Sequence, residues 1–148
     1  MFANCIKISS KIIPFEYDTI SEEDTIPKYI LRFENAKFSN FDIDVSQGLI
    51  ISLYKNNFSL WWEQININKD NLHSYYLAFT IGLDRAIKYN VEDLAIESSN
   101  SVIIELLQKI KQDKVKDAQE DKTTSFENIR KKMLKFEKLR ILRTIPNT

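Results

Sequence analysis

The chain has 148 residues, 43% of them apolar and 28% charged, which suits one globular domain with a real hydrophobic core. Lys+Arg and Asp+Glu balance at 21 each, so net charge selects neither a polyanion nor a polycation as partner. The single Cys5 and single His73 exclude an intrachain disulfide and a Cys/His zinc site, and no apolar run approaches the roughly 20 residues of a membrane span.

Residues 1–27 lack sustained periodicity and read as a leader, partly extended or disordered, ahead of a domain over 28–148. Met1 to Phe15 holds Lys7 and Lys11 and no acid, a balance shared with transit peptides, but it has no arginine. Ile12-Ile13-Pro14 fits a short extended segment equally well. A cytoplasmic or nuclear chain is the default, with organellar targeting the alternative. The run Ser21-Glu22-Glu23-Asp24 before Pro27 reads as solvated chain, and Asn57-Phe58-Ser59 as a chance glycosylation match.

From Lys28 the pattern changes. Tyr29, Leu31 and Phe33 alternate with Ile30, Arg32 and Glu34, which predicts a strand. Leu49 to Tyr54 predicts a second, Lys55-Asn56-Asn57 a turn, and Phe58 to Ile67 a third strand carrying Trp61 and Trp62 on opposite faces. Short connections make these three an antiparallel meander. Asp70 or Asn71 caps a helix whose apolar stripe is Leu72, Tyr76, Phe79, Leu83 and Ile87, with Asn90 a suitable left-handed exit. Leu94-Ala95-Ile96 is a short buried strand, parallel to the first because a helix separates it from the meander. Ser98 to Ser101 caps the next helix, with Val102, Ile103, Leu106, Leu107 and Ile110 on its apolar face. Residues 111–123 are polar and read as loop or frayed helix. Thr124-Ser125-Phe126-Glu127 is a capping box for a third helix, and Leu139 to Leu142 a final strand. The order β-β-β-α-β-α-α-β is that of an α/β layer with a mixed five-stranded sheet.

That order, and the stretch from Asn71 to Leu107 in particular, resembles the ribonuclease H-like domain of plant gypsy-type retroelement polyproteins (reverse transcriptase-like), in a degenerate form. Tyr29 to Ala36 resembles the family's first strand and catalytic turn, and Arg143 to Pro146 the end of its fifth strand. The resemblance implies a ribonuclease H-like α/β fold over about residues 28–146, lacking the family's final helix because the sequence stops at Thr148.

The family's chemistry uses four carboxylates around two divalent ions, one activating water and one stabilising the leaving oxygen. At those positions this chain has Glu34, Tyr75 and Ser99, and the fourth carboxylate belongs to the missing helix. Two ions about 4 Å apart repel strongly and need anionic ligands, so the expectation is no metal, no cofactor and no catalysis. Glu97, two residues from Ser99, is a conceivable substitute ligand or a solvated strand end. Tyr75 is expected to fill the former metal site together with Ser99 by a hydroxyl contact.

Other constellations weigh less. Asp42 and Asp44 read as a solvated hairpin edge, and Ser99 with His73 lacks a nucleophile elbow, so Ser99 reads as a helix cap. Arg130, Lys131, Lys132, Lys135, Lys138, Arg140 and Arg143 form a basic cluster opposed by Glu137, a candidate phosphate-tracking surface or an ordinary solvated helix face. The leading expectation is a catalytically inactive protein acting through a protein partner or its own second copy, docked on apolar sheet surface that the missing helix leaves uncovered. The alternatives are non-cleaving RNA or RNA–DNA hybrid binding, and weak residual metal-dependent cleavage.

Overall fold

The computed structural model describes residues 11–14, 27–36, 46–68, 70–112 and 124–145. Its elements are β1 (Lys11–Pro14), β2 (Tyr29–Asn35), β3 (Ser46–Lys55), β4 (Phe58–Asn68), α1 (Leu72–Lys88), β5 (Asp93–Ser98), α2 (Ser101–Gln112), α3 (Thr124–Met133) and β6 (Lys138–Ile145). The expected mixed five-stranded sheet is present as β6-β5-β2-β3-β4, and β1 adds a sixth strand beside β6. Of the leader, Lys11–Pro14 pairs antiparallel with Leu142 to Ile145. Apart from Pro27, the rest of it, with Cys5, Asp42, Asp44 and residues 113–123, lies outside the described residues.

The meander forms as its turn chemistry requires. Asn56 and Asn57 both take positive φ, 52° and 71°, and close the β3–β4 hairpin in the primed geometry that matches strand twist. Asparagine tolerates that left-handed region at low cost. A register shift between Leu53 and Tyr54 adds twist just before the turn. β5 pairs parallel with β2, as the intervening α1 dictates, and β6 pairs parallel with β5.

All three helices contribute to one core. Leu31, Phe33, Leu49, Ile51, Leu94, Ile96 and Ile141 from the sheet meet Phe79, Leu83, Ile104, Leu107, Ile129 and Met133 from the helices. Asn71 caps α1 by accepting from the His73 N–H at 2.9 Å, and Asn90 at φ 59° ends it. Gly82 lies where α1 crosses the sheet most closely. A Cβ there would stand 2.9 Å from Phe33 Cζ and 3.1 Å from Leu31 Cδ2, so helix–sheet spacing depends on this glycine.

The opposite sheet face corrects one expectation. Ile30, Tyr54, Ala95 and Leu142 form a second buried cluster to which no described helix contributes. Ile30, Ala95 and Leu142 are at most 1% exposed within a single copy of the chain. Around these residues the apolar sheet surface expected to stand uncovered is therefore closed, while Trp62, in register with Ser52 and so with Arg32, lies on the same face and stays exposed. β6 is also longer than Leu139 to Leu142, because Arg143 and Thr144 continue the ladder to β1 and β5.

Candidate functional site

Alternation along β2 sends Leu31 and Phe33 into the helix-side core and Arg32 and Glu34 to the other face. Parallel pairing then sets Arg32 directly across from Glu97 of β5. Just beyond β5, Ser99 reaches back to β2. Its hydroxyl donates to Glu34 Oε1 at 2.6 Å and its backbone N–H donates to Oε2 at 3.0 Å. Both carboxylate oxygens of Glu34 are thus held, and Arg32 Nε donates to Oε2 as well, at 3.3 Å. The same nitrogen lies 3.4 Å from Glu97 Oε1.

The surrounding turn fixes these groups. Ser98 Oγ donates to the Phe33 carbonyl at 2.5 Å and accepts from Asn100 N–H at 3.0 Å. Asn100 Oδ1 accepts from the Val102 N–H at 2.9 Å, so Asn100 is the cap of α2, and its amide donates to Asn35 at 3.2 Å. The cap reading of Ser99 is thereby corrected: Asn100 caps the helix and Ser99 ties β5 to Glu34. Tyr75 is corrected too. It is buried in the helix-side core, and among the described residues no hydrogen bond joins its hydroxyl to Ser99.

Glu97 is 0% exposed, and among the described residues neither of its oxygens accepts a hydrogen bond. Burial pushes its carboxyl up to about 7; Arg32 opposes that shift and Glu34 adds to it. Near neutral pH this group sits close to half-protonated. On the same face, Arg140 pairs with Asp93 at 3.2 Å, yet among the described residues its Nε and Nη1 have no hydrogen-bond partner, and the buried Thr144 hydroxyl has none either.

A two-ion centre does not fit these residues. Divalent ions of the magnesium type need several anionic or carbonyl oxygens turned toward the ion. Here Glu34 is engaged by two donors and a guanidinium, and Tyr75 points into the core. A cation arriving beside Glu34 would also meet the fixed positive charge of Arg32. Among the described residues no group of three His, Cys, Asp or Glu is placed to hold a metal.

A second candidate surface lies between α1 and α3. His73, Tyr76 and Thr80 of α1 face Asn128, Lys131, Lys132 and Lys135 across an open groove of about 580 Å³. Lys132 pairs with Asp84 at 2.6 Å, while Lys131 and Lys135 are exposed. Burial raises the Tyr76 phenol above its ordinary range, so it stays a neutral donor. The basic cluster therefore divides. Lys131, Lys132 and Lys135 share the groove, Arg130 is half-buried on α3, Lys138 starts β6, and Arg140 is buried on the far sheet face.

The two tryptophans also separate. Trp61 packs against the helix-side core with the Arg85 guanidinium 4.8 Å over its ring, and Trp62 is 45% exposed. No described helix is long and apolar enough to cross a membrane.

No protein-family model matches the sequence, and no curated protein is significantly similar to it. Solved structures do share its architecture. One is the N-terminal RNase H domain of Rv2228c from Mycobacterium tuberculosis, determined as a fusion with maltose binding protein. It is 14% identical with a TM-score of 0.54, over 82% of this chain and 84% of that one. Another is LC11-RNase H1 in complex with an RNA/DNA hybrid, 14% identical with a TM-score of 0.51, over 81% and 86%. At such identity the likeness is one of fold: the chain has the ribonuclease H-like α/β fold.

Proposed function

We propose that this chain is a catalytically silent ribonuclease H-like module that binds nucleic acid along its phosphate backbone without cleaving it. The observation that carries the binding is the α1–α3 groove, which Lys131 and Lys135 line as exposed cations beside polar side chains, while Lys132 pairs with Asp84. Backbone binding of this kind rests on lysine and arginine contacts to phosphates and is sequence-independent. The likeness to a structure solved with an RNA/DNA hybrid supports the same ligand class. The engagement of Glu34 by Ser99 and Arg32, and Tyr75 in place of a carboxylate, support the silent reading. The resemblance of residues 71–107 supports descent from a retroelement polyprotein.

Fluorescence anisotropy with a labelled RNA–DNA hybrid tests the binding. For two or three phosphate contacts, affinity falls on the order of 10- to 40-fold between 50 and 200 mM salt. Lys131→Glu with Lys135→Glu removes most of that dependence. Absence of salt-sensitive binding at low ionic strength refutes the reading.

A second reading, a protein partner or self-association, is supported at the β4 edge of the sheet. Among the described strands β4 is one edge of the sheet and carries Trp62, and Phe58 at its start is 51% exposed. Exposed edges with large apolar side chains are sites of strand pairing. Sedimentation separates the outcomes: a dimer dispersed by Trp62→Glu supports it, and a monomer at all concentrations removes self-association.

A further inference from the structure

Glu97 is a buried carboxylate whose two oxygens accept no hydrogen bond, an arrangement folded chains rarely tolerate unless a cation lies close. The cation beside it is Arg32, its cross-strand neighbour. One atom, Arg32 Nε, stands 3.3 Å from Glu34 and 3.4 Å from Glu97, between a carboxylate of β2 and a carboxylate of β5. Ser99 supplies two donors that fix the plane of Glu34, so this carboxylate cannot swing away to solvent freely.

We infer that Arg32 is a built-in cation filling the space between Glu34 and Glu97, and that removing its charge opens a divalent-cation site on those two carboxylates. A guanidinium keeps its charge at any pH the fold survives, so it competes with an incoming ion permanently. Hard divalent ions favour carboxylate oxygens, and two anions facing one space with their cation deleted repel each other until another cation or a proton arrives. The inference concerns these three side chains and does not depend on what the α1–α3 groove binds.

The test uses the full chain at pH 8, with Mn²⁺ as the probe. Wild type, Arg32→Gln and the double variant Arg32→Gln/Glu97→Gln are compared by calorimetric titration and by melting with and without Mn²⁺. The melting temperature of Arg32→Gln rises by roughly 5–10 °C when Mn²⁺ exceeds its Kd about 100-fold. Wild type and the double variant do not shift. If Arg32→Gln is unfolded in chelator, Mn²⁺ restores its circular dichroism and fails to restore that of the double variant. The inference is overturned by a folded Arg32→Gln that binds no Mn²⁺, by an unfolded one that Mn²⁺ does not rescue, by a shift that survives Glu97→Gln, or by equal Mn²⁺ binding in wild type.

Discussion

On the helix side of the sheet, Leu31, Phe33, Ile51, Leu94 and Ile96 are sealed under α1 and α2 with apolar neighbours throughout. On the other side the same strands turn Arg32, Glu34, Glu97, Arg140 and Thr144 into a face where several buried polar atoms lack partners. The first face stabilises the fold by area removed from water and is insensitive to pH and salt. The second holds charges whose desolvation is offset only in part by Arg32. Stability resides on one side of the sheet and chemical individuality on the other, and substitutions should separate the two.

The largest effect belongs to the apolar face. Phe33→Ala removes a ring that packs edge-on against Phe79 at 5.4 Å, and denaturant unfolding should show a loss of about 3–5 kcal/mol. A loss below about 1 kcal/mol would mean that this face does not carry the fold.

Next comes the buried acid. The folded chain holds the Glu97 proton up to about pH 7, whereas the free carboxyl releases it near 4.5. The folded state binds that proton more tightly, so stability falls as pH rises from about 4.5 to about 7 and levels off above. The span is on the order of 3 kcal/mol. Melting curves across that window show the slope, and Glu97→Gln flattens it. A slope unchanged in Glu97→Gln would assign the titration elsewhere.

Ser99→Ala comes third. It removes the 2.6 Å hydrogen bond to the Glu34 carboxylate, and chemical denaturation should report a cost of about 1.5–3 kcal/mol. The smallest effect is Thr144→Val. A buried hydroxyl with no partner is exchanged for a methyl, so stability should stay within about 0.5 kcal/mol of wild type or rise. A clear loss would reveal a partner for that hydroxyl.

Much of the fold was legible because periodicity reports which face of an element is buried. The Asn56-Asn57 turn and the exit at Asn90 appear where local chemistry placed them, but of the expected α1 stripe only Phe79 and Leu83 are fully buried: the buried face turns toward Tyr75, Ala78 and Ala86, and Leu72 is exposed. Strand pairing beyond the meander was legible only as far as a helix crossover demands parallel neighbours. The sixth strand was legible only as a short extended segment at Ile12-Ile13-Pro14, since four residues in an otherwise aperiodic stretch carry little pattern and acquire a partner only in β6. The site was legible as a set of replaced carboxylates, but not as geometry. Correspondence of position named Tyr75 and Ser99 without saying where each side chain points, and Tyr75 turned to the core. Arg32 was missed because its partner is set by the β2–β5 register. Alternation alone already placed it beside Glu34, and adding Glu97 across the parallel pair would have revealed the cluster.

The account turns most directly on incubating a labelled RNA–DNA hybrid with the wild-type chain and Glu34→Ala, in Mg²⁺ and in Mn²⁺, while binding is followed by anisotropy. It predicts salt-sensitive binding by both proteins and equal, negligible cleavage by both. Cleavage by wild type that Glu34→Ala abolishes would contradict it, because Glu34 would then be serving catalysis despite the hold of Ser99 and Arg32.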